Sequence, residues 1–213
     1  MNQMKDFIGK YLSGYLNKSR SKINEGPHVP PTVIEIEQLM TFLQEKGLNP
    51  VIVGSMALIK HLKPTYQELN EDAIRLTNDV DLFISQNNLP TPPPGWRRDL
   101  ASAGVISWIA PSGGYVDFLI AGHSFPDNTR NPKKIGIDPE SEKMGCPTAD
   151  LASLYLLKLN SFREKDLFDI LGLARKIGIP SEIERMSLNS TQKDNLEIVK
   201  LWLSHDGIEK SPF

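Results

Sequence analysis

Two short segments of this chain are patterned for strands with one wet face. In Asp79-Val80-Asp81-Leu82-Phe83-Ile84 and Tyr115-Val116-Asp117-Phe118-Leu119, acids stand at alternate positions against apolar neighbours, and successive strand side chains point to opposite faces. Asp79 and Asp81 therefore project to one side, while Val80 and Leu82 face a core. Two carboxylates on one face repel unless something positive sits between them, and a hard divalent cation with oxygen ligands is the commonest remedy. Asp117, on the second strand, completes a three-acid cluster if the two strands are neighbours.

A third strand precedes them. Val51-Ile52-Val53 is short, apolar and β-branched, and Gly54-Ser55 turns it into a short helix through Met56, Ala57, Leu58 and Ile59. Gly54 lets backbone approach a phosphate with no Cβ in the way, and Ser55 with the helix start behind it offers an O–H and oriented N–H groups. Each feature alone is weak, because Gly-Ser closes many turns and any edge strand can carry two solvated acids. In this order they acquire a joint meaning: the turn binds a triphosphate and the acids bind a metal.

The rest of the chain frames that unit. Met4, Phe7, Ile8, Tyr11, Leu12, Tyr15 and Leu16 recur at three- and four-residue steps among Lys5, Lys10, Lys18, Arg20 and Lys22, which predicts a basic amphipathic helix. Packing on the domain is favoured over docking a partner or an anionic membrane surface. Gly26-Pro27-His28-Val29-Pro30-Pro31 then reads as a linker. Thr32 with Glu35 makes a capping box for a helix carrying Val33, Ile36, Leu39, Met40 and Leu43 and ending at Gly47. Residues 63–78 are polar and aperiodic, a candidate lid. A proline-rich stretch at 90–94 leads to an expected short helix over 96–103. Residues 105–110 and 115–121 read as a hairpin turning at Pro111-Ser112-Gly113-Gly114. From Thr148 the pattern is helical, over 148–162, 164–177 and 192–205. The expected organisation is an N-terminal helix and linker (1–31), a mixed α/β core (32–145) and a helical C-terminal part (146–213), an α+β architecture.

Composition narrows the function classes. The 213 residues carry a net charge of −2 with both signs interspersed, so any nucleic acid must bind through a local patch. Cys146 is the single cysteine, which excludes an intrachain disulfide and a cysteine-rich zinc site. His28, His61, His123 and His205 lack ligand spacing and are assigned to no metal. No apolar run reaches the length of a membrane span and the N-terminus lacks the apolar core of a secretory signal, so a cytoplasmic location is expected.

The ordered set Gly54-Ser55, Asp79-Val80-Asp81, Asp117 resembles the nucleotidyltransferases of the polymerase-beta superfamily, whose pattern is Gly-Ser after a strand, then Asp-x-Asp, then a third acid. Lys158-Leu159-Asn160-Ser161-Phe162-Arg163-Glu164-Lys165-Asp166-Leu167-Phe168-Asp169 is similar to a helical segment of small bacterial members related to abortive-infection toxins. The resemblance covers residues 33–177. It implies a nucleotidyltransferase-like mixed sheet with flanking helices, and transfer of a nucleoside monophosphate from a nucleoside triphosphate such as ATP to an acceptor hydroxyl. It implies Asp79, Asp81 and Asp117 as catalytic, metal-holding residues for two Mg2+ ions, with Mn2+ as a substitute. Gly54, Ser55 and Lys158 would bind the nucleotide. The implied acceptor is an RNA 3′ end such as tRNA, or a protein, and a cognate antitoxin would accompany a toxin-like member. An ion pair between helix charges, including Asp166 with Arg163, is the competing reading of the Lys158 segment. One departure stands out: the family leaves about ten residues between Gly-Ser and Asp-x-Asp, and this chain inserts a longer polar loop. A catalytically silent module that binds nucleotide or a partner is the alternative function.

Overall fold

The computed structural model describes residues 3–22, 29–62, 77–86, 88–99, 106–123 and 130–205. Five strands form one mixed sheet: β1 (Val51–Ile52), β2 (Asp79–Ile84), β3 (Arg97–Asp99), β4 (Ile106–Ile109) and β5 (Tyr115–Ile120). Their order across the sheet is β1-β2-β5-β4-β3. β2 and β5 run parallel, and the other neighbours run antiparallel. The expected hairpin is β4–β5, closed by the Ala110 N–H donating to the Gly114 carbonyl at 2.7 Å. The expected candidate lid lies outside the described residues except for Thr77 and Asn78.

One face of this sheet makes the core. Val80, Leu82 and Ile84 on β2, Val116, Phe118 and Ile120 on β5 and Trp108 on β4 are buried, and the Trp108 and Phe118 rings meet edge to face at 4.8 Å. The alternation read from the sequence is therefore the observed burial pattern, with Asp79, Asp81 and Asp117 only half-buried on the opposite face.

The short helix expected over 96–103 is not what forms at its start. Arg97, Arg98 and Asp99 pair instead as β3 with Ile109, Trp108 and Ser107 of β4. Residues 100–105 lie outside the described residues. An open strand edge needs partners for its backbone groups, a stronger demand than the weak helical tendency of so short a segment.

Helices flank the sheet. The chain begins with α1 (Gln3–Phe7), a π-helical turn over Ile8–Leu12 and α2 (Ser13–Lys22). Met4, Phe7, Ile8, Leu12 and Leu16 are buried in the main core, so this helix packs on the domain, as its stripe implied. Each such burial is worth about 1.5–3 kcal/mol, which outweighs the penalty of about 1 kcal/mol for a helical glycine. The end of the expected linker is docked too. Tyr115 N–H donates to Val29 O at 2.9 Å, and the Arg20 guanidinium donates to Pro30 O and to Ser112 Oγ. A Cβ on Gly114 would lie 2.4 Å from Pro31 Cα, so only glycine permits this approach.

Next comes α3 (Val33–Glu45), capped as expected by Thr32 and Glu35. Glu35 also accepts from Ser112 N–H at 2.8 Å and Ser112 Oγ at 2.6 Å, tying the cap to the hairpin turn. After α4 (Gly54–Leu62) and the sheet come α5 (Pro139–Lys143), α6 (Leu151–Ser161), α7 (Glu164–Ile177), α8 (Ser181–Arg185) and α9 (Ser190–His205). α4 packs on β2 and on α6 and α7, while α6, α7 and α9 pack on one another. Cys146 is buried, and burial pushes its thiol up to about 12, leaving an inert side chain. Among the described residues, no helix is long and apolar enough to cross a membrane.

Candidate functional site

The parallel pairing of β2 with β5 decides the site. Asp81 stands directly opposite Asp117, and Asp79 opposite Tyr115, so the three acids expected to cluster share one sheet face. Asp79, Asp81 and Asp117 each offer a carboxylate oxygen within 4.8 Å of the other two. The same row continues through Ser107, which faces Asp117, to Asp99 on the edge strand. Ser107 Oγ donates to Asp117 Oδ1 at 2.6 Å. Thr77 Oγ1, buried just before β2, lies 3.0 Å from both Asp79 Oδ1 and the Asp79 carbonyl. These two hydroxyls orient the outer acids, and Ser107 was legible only as the wet-face residue of an apolar strand.

The Gly-Ser turn closes the cluster from the side. Val53 N–H donates to Asp81 O at 3.0 Å, which brings the chain leaving β1 against the acidic strand. Gly54 then opens α4 at a φ of 62°, and a Cβ there would sit 1.9 Å from Asp81 Oδ2. The glycine is thus required twice, by its left-handed backbone and by the carboxylate pressed against it. The first turn of α4 carries N–H groups that the helix's own ladder does not use, and it starts at that carboxylate.

Charge at this point is unbalanced. Burial, then Asp79 and Asp117, push the Asp81 carboxyl up to about 8, against the pull of Lys158 and Lys165. A cation between the three acids removes that conflict. The donor set, all carboxylate oxygens on one face, suits a hard divalent ion rather than a soft one. His61, by contrast, is spent on the fold, with Nε2 2.8 Å from Ala149 O.

Lys158 behaves differently from the expectation of a phosphate-reaching side chain. It is almost fully buried, with Nζ 2.5 Å from Asp169 Oδ2 and 3.4 Å from Asp166 Oδ1. Asp166 also accepts from Arg163 Nε at 2.8 Å, Arg163 N–H at 3.2 Å and Ser161 Oγ at 2.8 Å. The competing ion-pair reading of this segment is therefore what the geometry contains. These contacts bind the α6–α7 corner, where Phe162 takes a left-handed conformation, φ 38° and ψ 39°. That is an uncommon backbone for a bulky residue, sustained by the network around it. Asp79 and Asp81 act on Arg163, and Lys165 acts on Asp81, so the corner sits within electrostatic reach of the acids. Sequence reading offered Arg163 only as an ion-pair partner of Asp166, the pair the structure contains, and gave Lys165 no role.

No protein-family model matches this chain, and no curated protein matches it either.

Proposed function

We propose that this chain is a metal-dependent nucleotidyltransferase of the polymerase-beta type. It transfers a nucleoside monophosphate from a nucleoside triphosphate to an acceptor hydroxyl and releases pyrophosphate. The observation that carries the reading is the approach of Gly54 to Asp81 within a three-carboxylate cluster. A phosphate-binding turn and a cation-binding cluster become one site when they share an atom-to-atom contact, and triphosphate chemistry needs both.

In this reading Asp79, Asp81 and Asp117 hold the divalent ions, Mg2+ or Mn2+, which supply charge neutralisation at the reacting phosphate. Ser55 and the α4 N-terminus receive the β- and γ-phosphate oxygens, with no side chain at Gly54 to obstruct them. Asp117, its Oδ1 held by Ser107, orients the acceptor hydroxyl and takes its proton. Lys158 keeps the α6–α7 corner in place.

Incubation with labelled nucleoside triphosphates and Mg2+, with total cellular RNA or lysate as acceptor source, tests the reading. Label should appear in RNA or in a protein band, and Asp79→Asn and Asp81→Asn should remove it. Triphosphate binding with no labelling in either Mg2+ or Mn2+ would replace this reading with the silent binding module.

A further inference from the structure

The charges of the α6–α7 corner fall into two groups. Lys158, Arg163, Asp166 and Asp169 satisfy one another, with separations from 2.5 to 3.4 Å, and their formal charges cancel. Lys158 cannot leave for a phosphate without stranding the buried Asp169 carboxylate, and a buried charge that loses its partner is strongly destabilising. Lys165 stands apart. It lies in the first turn of α7, half-buried, and forms no ion pair among the described residues. It is one residue from Asp166, the hub that holds the left-handed turn at Phe162.

We propose that Lys165, not Lys158, is the side chain that meets the phosphates of a nucleoside triphosphate in this site, and that Lys158 positions the corner that presents it. The proposal rests on the nucleotidyltransferase reading. α7 packs on α4, and α4 begins at the Gly54–Asp81 contact, so the helix that carries Lys165 lies against the helix that opens at the acids. The pull of Lys165 on the Asp81 carboxyl agrees with a cation facing the cluster. A lysine ammonium offers three donors and a point charge, enough to bind triphosphate oxygens without bidentate geometry. The left-handed turn at Phe162 redirects the chain from α6 into α7, whose first turn carries Lys165.

Calorimetric titration of the full chain with Mg2+ alone, and with ATP, GTP, CTP or UTP in excess Mg2+, tests this in the wild type and in Lys165→Gln, Lys165→Arg and Lys158→Met. Lys165→Gln should fold with an unchanged melting temperature, bind Mg2+, and bind triphosphate about tenfold to a hundredfold more weakly, the loss of a charge-assisted contact. Lys165→Arg should recover much of that loss, and Lys158→Met should lower the melting temperature. Equal triphosphate affinity in the wild type and Lys165→Gln would overturn the assignment alone. So would a Lys165→Gln change confined to Mg2+ affinity, which would make Lys165 a counter-charge to the acids. A wild type that takes Mg2+ but no triphosphate would overturn the proposal together with the functional reading beneath it.

Discussion

The molecule contains two clusters of charge that lie within electrostatic reach of each other and differ in kind. On the sheet, Asp79, Asp81 and Asp117 converge with three like charges. At the α6–α7 corner, Lys158, Arg163, Asp166 and Asp169 interlock with their charges cancelled. The corner is complete without any other molecule, because each buried charge has a partner. The sheet cluster is not balanced in this way: burial and the neighbouring Asp79 and Asp117 raise the Asp81 carboxyl, and the three acids could together hold a metal ion. Balanced charge marks a structural joint; unbalanced charge pressed against a glycine turn marks where a ligand belongs.

The largest effect that separates them is on activity and cation binding. Asp81→Asn should remove cation-dependent thermal stabilisation and reduce nucleotide incorporation by at least about a thousandfold, since the ion's contribution is several kcal/mol. The cation-free protein should nevertheless be as stable as the wild type or more so, because the cost of holding the Asp81 carboxyl buried beside two other acids is gone. A lower melting temperature for cation-free Asp81→Asn would break the distinction between the clusters.

The corner should respond in the opposite way. Asp166→Asn or Asp169→Asn strands part of a buried ion network and should cost about 3–5 kcal/mol of folding stability, read by urea unfolding. Replacing Lys158 and Asp169 together by Met and Leu should cost much less than the sum of the single changes, because an apolar pair of similar volume leaves no uncompensated charge. Additive losses would place these residues outside a common network.

Much of the sheet cluster was legible beforehand, and the reason is local. Asp79, Asp81 and Asp117 announce themselves by period two against Val80, Leu82, Val116 and Phe118, and burial of those apolar residues enforces the register. Gly54 was legible as a turn without a Cβ between an apolar strand and a helix, while its positive φ and the Asp81 carboxylate against it emerged only in the fold. What could not be read depends on distant partners. Arg97–Asp99 has no apolar alternation and becomes a strand only because β4 offers an edge. The destination of Lys158 is equally invisible to periodicity, which puts it on a helix surface whether it meets Asp169 or a phosphate. α5 and α8 are single turns, too short to show a period; the start of α5 is capped by Asp138, which accepts from Ser141 N–H at 2.9 Å.

A smaller effect is expected where the turn touches the acids. Gly54→Ala should destabilise by about 1–2 kcal/mol for the left-handed backbone alone, plus whatever displacement of Asp81 relieves a 1.9 Å overlap. Gly47→Ala is the control, since Gly47 has a similar positive φ of 74° and open space around its would-be Cβ. The two should lose similar stability from the backbone, but only Gly54→Ala should weaken cation binding. Equal cation affinity in both variants would show that the turn and the acids are neighbours without being one site.

The smallest effect is one of pH, where the two clusters oppose each other. Asp81 holds its proton more tightly folded than unfolded, so the folded state carries an extra proton between the ordinary carboxylate range and about 8. Its contribution to cation-free stability is complete at low pH and is lost as pH rises through that window. Asp166 works in reverse. Burial alone would raise its carboxyl, but the hydrogen bond from Arg163 and the charges of Lys158 and Arg163 outweigh it and hold it below its usual range. That contribution is complete above the ordinary carboxylate range and is lost as pH falls below it. Cation-free stability should therefore peak on the acid side of neutrality, with the corner setting the lower limb and the sheet cluster the upper. Mg2+ must displace the Asp81 proton to bind, so its affinity should climb with pH towards 8 and saturating Mg2+ should move the stability maximum upward. Thermal melts across pH 4–9 with and without Mg2+ read both limbs. In Asp81→Asn the upper limb should flatten while the lower one stays, and an upper limb that persists in that variant would assign it to some group other than the sheet cluster.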